Sequence, residues 1–145
     1  MNLNQAGINL IKQFEGCKLH AYPDPATGGK PWTIGYGCTG VDIGPNTIWT
    51  QEQADRELDS RLQKLCKRIK SELEVNLNDN QFSAVVSLVW NIGMGNFIGH
   101  DLLKFLNAGA FKMASQEFPL WNKANGKVMP GLTRRRLAEK ELFDS

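Results

Sequence analysis

The sequence predicts an α+β fold that is mostly helical, with a small N-terminal β-containing lobe, a long connecting helix and a helical C-terminal lobe. Three observations predict it. Residues 17–49 contain six glycines and four prolines, which is too many turn-forming residues for a helix. Residues 50–73 carry one uninterrupted helical pattern, and residues 76–145 carry several shorter ones. At 145 residues the chain is expected to be a single domain, 1–145, built from these three parts.

The composition is that of an ordinary soluble globular protein, with 41% hydrophobic and 22% charged residues. The three cysteines, Cys17, Cys38 and Cys66, form no C-x-x-C pair and are odd in number, so neither a zinc site nor a disulfide framework is expected. His20 and His100 have no partner at metal-ligand spacing. We therefore expect free thiols and no metal or cofactor.

The N-terminal residues and the distribution of charge indicate where the protein is found and what it contacts. The first residues lack the basic start and long apolar run of a signal peptide, and no segment reaches the ~20 apolar residues of a membrane span. A separate route would have to release the protein if it acts outside the cytoplasm. Residues 101–136 carry seven Lys or Arg against two acids. A basic face of this kind suits an anionic wall polymer, nucleic acid or lipid headgroups.

The first helix is expected over residues 4–15, because its apolar residues recur at helical spacing. Asn4 or Asn2 is the expected N-cap, and Gly16 is the expected stop. Glu15 would then occupy the last helical turn, at the edge of the buried face. Partial burial and the negative end of the helix dipole both favour a protonated carboxyl, which is what a general acid needs.

The β-containing segment carries a second acid and a hydroxyl. Asp24 lies between two prolines that stiffen a turn, so we expect it to be exposed and ionised. In the strand W-T-I-G-Y-G, alternation places Thr33 on the face of Gly35 and Gly37, which leaves room for a sugar ring to approach. Two carboxyl groups in different environments, with a hydroxyl nearby, are the minimum set for cleaving a glycosidic bond.

The remaining elements are helices. Thr50 and Gln53 form a predicted capping box at the start of the long helix, which would run from Gln51 to Leu73. Asn78 is the predicted cap of an apolar helix at the centre of the second lobe. Further helices are expected over residues 101–106, 111–121 and about 132–143. The last of them begins with three arginines that oppose its dipole, so we expect a charged partner there, with Glu15 as one candidate.

Taken together, these residues carry a resemblance. The pattern E-x8-D, followed by W-T-I-G-Y-G, resembles the phage lysozymes of the T4 type, glycoside hydrolase family 24, especially the endolysins of lambdoid phages and prophages. The segment N-D-N-Q-F-S-A-V-V-S-L-V-W-N-I-G is similar to the core helix of that family's second lobe. The ending L-W-N-K-A-N-G-K-V-M-P-G-L-T-R-R-R-L-A-E-K-E-L-F is similar to its C-terminal segment. The resemblance covers essentially the whole chain in the expected order and implies a lysozyme-like fold.

The resemblance also implies roles for three residues. Glu15 matches the family's catalytic acid, Asp24 its second catalytic carboxylate, and Thr33 the threonine that helps to hold the attacking water. Eight residues separate Asp24 from Thr33 here, whereas the family has about five, and we expect the extra residues to enlarge a surface turn. Thr27 lies in that turn but lacks the T-I-G-Y-G context, so it is not the expected hydroxyl.

The implied activity is that of an endolysin, a lysozyme that hydrolyses the β-1,4 bond between N-acetylmuramic acid and N-acetylglucosamine in peptidoglycan and so lyses the host cell. The family outcome is inversion, for which the two carboxyl groups stand further apart than the ~5 Å of a retaining site. The expected partners are peptidoglycan and, through the basic C-terminal lobe, a membrane surface, with no nucleic acid. The chain is expected to be a monomer that stays in the host cytoplasm until a holin pore releases it to the periplasm and cell wall.

Three alternatives remain open at this point. A lytic transglycosylase would use Glu15 alone as acid and base and leave a 1,6-anhydro product. A catalytically inactive wall-binding module would bind peptidoglycan without cleaving it. A membrane-permeabilising antibacterial protein would act through the basic C-terminal lobe.

Overall fold

The computed structural model describes all residues 1–145. Helices account for 57% of the residues and the remaining regular structure is two small sheets, so the predicted mostly helical α+β class is confirmed. No helix combines the length and the apolar character needed to cross a membrane. The elements, in chain order, are α1 Gln5–Glu15, β1 Lys18–Tyr22, β2 Thr33–Gly35, α2 Gln51–Glu72, α3 Asp79–Ile92, α4 Met94–Phe97, α5 Asp101–Asn107, α6 Phe111–Glu117, a 3₁₀ turn Phe118–Leu120, β3 Lys123–Ala124, β4 Lys127–Val128 and α7 Pro130–Asp144.

The chain divides into two compact units. One comprises residues 11–64, and the other comprises residues 1–10 together with 65–145. Helices α1 and α2 each contribute residues to both units. The sequence-based division into 17–49, 50–73 and 76–145 remains a prediction about domain organisation.

The unit of residues 11–64 holds the two-stranded antiparallel sheet β1–β2, in which Lys18 pairs with Gly35 and Tyr22 with Thr33. Its core is apolar, because strands and helix each turn their hydrophobic residues inward. The buried side chains are Ile11, Ile34, Tyr36, Cys38, Ile43, Ala54, Leu58 and Leu62. Strand β2 is shorter than the predicted W-T-I-G-Y-G strand, because the chain reverses at once and Ile34 pairs with Cys38 through two backbone hydrogen bonds of 2.9 and 2.8 Å.

The helical unit is built around α3, whose residues 82–89 are all buried, as the apolar pattern predicted. Three predicted caps are confirmed. Asn4 Oδ1 accepts a hydrogen bond from the backbone of Gly7, and Asn78 forms a capping box with the third residue of α3. At the start of α2, in the other unit, Thr50 and Gln53 form the predicted reciprocal pair, at 2.8 and 3.1 Å.

A buried charge cluster joins α7 to α3. Arg135 is 3% exposed and Arg136 and Glu139 are both fully buried. The Glu139 carboxylate lies 2.7 Å from Arg136 Nε and 3.2 Å from Arg135 Nε, and it accepts a hydrogen bond from the Ser87 hydroxyl of α3. Arg135 also donates to the Ser87 carbonyl at 3.1 Å. Glu139, one turn further along the same helix, is therefore a charged partner of Arg135 and Arg136, while the pairing of these arginines with Glu15 stays a prediction.

The region after α5 differs from the expectation at three points. Helix α6 ends at Glu117 rather than near Trp121, because Pro119 has no N–H to continue the helix and the chain tightens into the 3₁₀ turn. Residues 123–128, between the expected helices, form a hairpin, β3–β4, whose turn residues Asn125 and Gly126 both have positive φ. Helix α7 begins at Pro130, two residues before the predicted start, since proline is favoured at the first helical position.

Candidate active site

Glu15 is the last residue of α1, as the helical pattern predicted. Gly16 ends the helix with φ +66°, a left-handed conformation that glycine adopts readily, and its N–H donates to the Lys12 carbonyl at 3.0 Å. The side chain of Glu15 is half-buried. The helix end therefore presents this carboxyl group at the boundary between the core of the unit and solvent.

A polar cluster fixes the last turn of α1 within the unit. The Tyr36 hydroxyl donates to Asp55 Oδ1 at 2.7 Å, and Gln51 Nε2 lies 3.0 Å from both the Tyr36 hydroxyl and Asp55 Oδ1. Lys12 Nζ lies 3.8 Å from Asp55 Oδ1 and 5.5 Å from the centre of the Tyr36 ring. Burial, together with the hydrogen bond to the Asp55 carboxylate, raises the pKa of Tyr36 to about 12, so this phenol stays a donor. The cluster thus connects the turn that ends in Glu15 to the chain just after β2.

Thr33 lies at the first position of β2, half-buried, and pairs with Tyr22 at the last position of β1. Burial raises the pKa of Tyr22, and the negative charge of Glu15 raises it further, which places the Glu15 carboxylate within electrostatic range of the Tyr22 phenol. Tyr22 is 38% exposed. The β1–β2 ladder therefore places Thr33 opposite Tyr22, the phenol whose pKa the Glu15 charge affects.

Asp24 follows Tyr22 by two residues and is half-buried in a tight turn. Its Oδ1 accepts a hydrogen bond from the Ala26 N–H at 2.7 Å, and its N–H donates to the Gly29 carbonyl at 2.9 Å. Its own carbonyl accepts from Gly28 N–H at 2.8 Å. Oδ1 thus belongs to an Asx-type turn, and Asp24 is held in one place by the turn that it forms.

Gly35 does not leave open space for a ligand, contrary to the expectation for its strand face. A Cβ at this position would lie 2.9 Å from the ring of Trp49 and 3.7 Å from Ala54. Its φ of +67° also disfavours a side chain. Glycine is required here because Trp49 packs directly on the backbone, so the Gly35 position of this face is closed to a substrate.

Tyr22 is a candidate site residue that sequence analysis missed. The signal for it in the sequence is its position two residues before Asp24. The pairing of Tyr22 with Thr33 could not be read in the same way, because the register of β1 with β2 depends on residues outside both strands. No group of three or more His, Cys, Asp or Glu side chains in the chain is arranged to hold a metal ion.

Comparison with known proteins places this arrangement in a family. The phage lysozyme family profile matches residues 12–139, which include Glu15, Asp24 and Thr33. The chain belongs to the phage lysozyme family. Among the phage lysozymes, the endolysin of Acyrthosiphon pisum secondary endosymbiont phage 1 is 44% identical over 150 residues, covering 100% of this chain and 99% of that protein.

Other relatives of this phage lysozyme chain differ in length. The endolysin of Bacillus phage PZA is 45% identical over 145 residues, and the chain spans only about half of it, 56% of its length. Among solved structures, the muramidase domain of SpmX from Asticaccaulis excentricus matches with a TM-score of 0.88 and 35% identity, covering 99% of this chain and 98% of that one. The predicted lysozyme-like fold is confirmed by this match.

Proposed function

We propose that this chain is a lysozyme that hydrolyses the β-1,4 bond between N-acetylmuramic acid and N-acetylglucosamine in peptidoglycan. The observation that carries the proposal is that Glu15 at the end of α1, the Asp24 turn and the Tyr22–Thr33 pair of the sheet all belong to one compact unit, residues 11–64. Membership of the phage lysozyme family supports it. So do the relatives that are themselves endolysins or a muramidase domain.

In this mechanism Glu15 is the general acid. Its carboxyl group donates a proton to the glycosidic oxygen as the bond to the leaving sugar breaks, so that the leaving group departs as an alcohol. The neighbouring Tyr22 phenol stays protonated, because its pKa is raised, and it is therefore a hydrogen-bond donor at the edge of the site. The end of α1 holds the acid while the polar cluster around Tyr36 limits its movement.

Asp24 and Thr33 act on the other side of the reaction. The Asp24 carboxylate stabilises the positive charge that develops on the sugar ring, or it takes the proton of the attacking water. The Thr33 hydroxyl positions that water by a hydrogen bond. A carboxylate whose Oδ1 is already engaged by Ala26 N–H keeps Oδ2 for this task without moving.

The products distinguish this proposal from the lytic transglycosylase. We expect purified peptidoglycan sacculi digested with the protein to release muropeptides that end in reducing N-acetylmuramic acid. A transglycosylase would instead release 1,6-anhydro products, which are lighter by one water. Mass spectrometry of the soluble fraction, before and after borohydride reduction, separates the two, and anhydro products alone would refute the proposed hydrolysis.

Replacing Asp24 by asparagine is expected to lower kcat on sacculi about 100-fold, because the charge that stabilises the transition state is lost. The asparagine amide oxygen can still accept the hydrogen bond from Ala26 N–H, so the turn should be retained. Asp59→Asn, an exposed change on α2, is the matched control and should leave kcat as it is. An Asp24→Asn enzyme as active as the wild type would show that this carboxylate takes no part in the reaction.

The place of action and the membrane contact follow as further parts of the proposal. Because relatives are endolysins, we propose that the chain acts on the cell wall after its release from the host cytoplasm, with a holin pore as the route. The basic surface of residues 101–136 is smaller than its seven Lys and Arg imply, since Arg135 and Arg136 are buried against Glu139. Five cations remain for a membrane surface or an anionic wall polymer.

A further inference from the structure

A pocket of about 520 Å³ opens on the β-containing unit and has no role in the proposed chemistry. Two chain segments form its walls: the end of the Asp24 turn, and the loop after β2. The lining residues are Lys30, Pro31, Trp32, Thr39, Gly40, Val41 and Ile43. A volume of this size is within the range of sites that hold small organic ligands, roughly 300–1,000 Å³.

The walls of the pocket are mainly apolar. Val41 is fully exposed and Trp32 is half-exposed. Two backbone carbonyls of the lining already accept hydrogen bonds from the protein. The Thr39 carbonyl accepts one from Arg61 Nη1 at 2.7 Å, and the Gly40 carbonyl accepts one from Ile43 N–H at 3.1 Å. A ligand would therefore meet mainly apolar side chains and an indole ring, with the Thr39 hydroxyl and the Lys30 ammonium as the polar side-chain groups.

Lys30 is the one charged side chain in the lining. It is exposed, and no carboxylate of the chain lies within ion-pairing distance of it. Its backbone is fixed, because its carbonyl accepts a hydrogen bond from the Thr27 hydroxyl at 2.6 Å. The pocket therefore combines an apolar wall with one unpaired cation, which is complementary to a ligand that carries small apolar groups and a carboxylate.

The pocket also lies beside the candidate active site along the chain. Trp32 directly precedes Thr33, so their Cα atoms are about 3.8 Å apart, and successive side chains of a strand point to opposite faces. Lys30 and Asp24 belong to the same turn, whose ends are joined by the hydrogen bond from Asp24 N–H to the Gly29 carbonyl. The pocket therefore begins one residue from Thr33 along the chain and on the other face of the extended segment, so a group that reaches it must extend beyond the sugar held at Thr33 and Asp24.

We infer that this pocket binds the stem peptide of peptidoglycan, the short peptide that hangs from the lactyl group of N-acetylmuramic acid. The inference rests on the proposed function and adds a determinant of substrate specificity to it. Stem peptides alternate alanine methyl groups with free carboxylates, which matches the apolar wall and the Lys30 ammonium. The glycan is the less complementary occupant, because it carries no charge to pair with Lys30 and most of its hydroxyls would meet apolar side chains.

The test compares two substrates: intact sacculi, and the same glycan strands after an amidase has removed the peptides. Lys30→Glu and, separately, Val41→Asp place a negative charge against the peptide carboxylate, and Val41 is exposed enough for its replacement to be tolerated. For each variant we expect the ratio of kcat/KM on intact sacculi to kcat/KM on peptide-free strands to fall roughly tenfold, the value of one charge-assisted contact. Lys64→Glu, an exposed change on α2, should keep the wild-type ratio.

A second measurement separates failure of this inference from failure of the proposed function. Muramyl dipeptide, titrated into Glu15→Gln protein, is expected to shift the NMR signal of the Trp32 indole N–H, and Lys30→Glu in that background is expected to abolish the shift. A ratio that stays at the wild-type value, or a Trp32 signal that muramyl dipeptide leaves in place, would overturn the inference even if the wild type cleaves sacculi. If the wild type releases no reducing ends from either substrate, the proposed function fails. The titration alone then shows whether the pocket binds the muramyl peptide.

Discussion

Glu15→Gln protein is expected to lose hydrolysis of sacculi by a factor of about 10²–10⁴, the range for removal of a general acid. Glutamine has the shape of glutamate but has no acidic proton, so the glycosidic oxygen would have to leave unprotonated. The measurement is the initial rate of reducing-end release from sacculi, with the far-UV circular dichroism spectrum and the melting temperature recorded on the same preparation. The loss should appear in kcat, because the proton is needed in the transition state rather than for binding.

The matched control for this variant is Glu52→Gln, which removes an exposed carboxylate from the first turn of α2. We expect its rate on sacculi to equal that of the wild type. If Glu15→Gln protein, still folded, cleaves sacculi at more than a tenth of the wild-type rate, Glu15 is not the general acid and the proposed mechanism is wrong.

The same variant tests the geometry of the site without any substrate. The charge of Glu15 contributes to the raised pKa of Tyr22, so its removal should lower the pKa of that phenol, while the larger effect of burial remains. Titration of Tyr22 by NMR or ultraviolet absorbance follows this directly. An unchanged pKa would show that Glu15 and Tyr22 do not share a site.

Glu139→Gln protein is expected to lose about 3–5 kcal/mol of the free energy of unfolding, because it leaves two buried guanidinium groups without a carboxylate. The side chains of Arg136 and Glu139 are both fully buried, so solvent cannot replace the missing charge. For a chain of this size that loss corresponds to a fall of roughly 10 °C in melting temperature. Urea denaturation followed by circular dichroism measures the free energy, and a thermal melt measures the shift.

Two further variants identify the cause of that loss. Glu141→Gln removes an exposed carboxylate two residues along α7 and should change the free energy of unfolding by less than about 0.5 kcal/mol. The double variant Arg136→Met with Glu139→Leu removes the charge together with its partner, so it should be more stable than Glu139→Leu alone. A Glu139→Gln protein as stable as the control would contradict the account of this cluster.

Local signals in the sequence predicted most of the helices correctly. Asn4, Thr50 and Asn78 each cap a helix as expected, and Gly16 ends the helix that presents Glu15. Caps and stops are hydrogen bonds and dihedral angles among residues within about four positions of each other, so the chain carries this information locally. The errors arose where two local preferences compete, as at Pro119, or where a short turn signal such as Asn125–Gly126 was not interpreted as a hairpin.

The candidate site was predicted only in part. Glu15, Asp24 and Thr33 were identified from their order in the chain and from a family resemblance, and their roles remain proposals. The membership of Tyr22 in the site, the occupation of the Gly35 face by Trp49, and the pocket behind Lys30 all depend on which segments pack together. None of these follows from spacing along one segment.

What the sequence by itself determined is therefore the fold class, the capped helix starts, the end of α1 and the family, and with them the position of Glu15 at a helix terminus. Only the tertiary structure decided that Thr33 pairs with Tyr22, that the Asp24 carboxylate is engaged in its own turn, and that Glu139 is a buried partner of Arg135 and Arg136. The physical reason is that strand register and the pairing of buried charges depend on how segments pack together. For example, Ser87 of α3 hydrogen-bonds to both Glu139 and Arg135 of α7. The propensity of one short segment cannot specify such a contact.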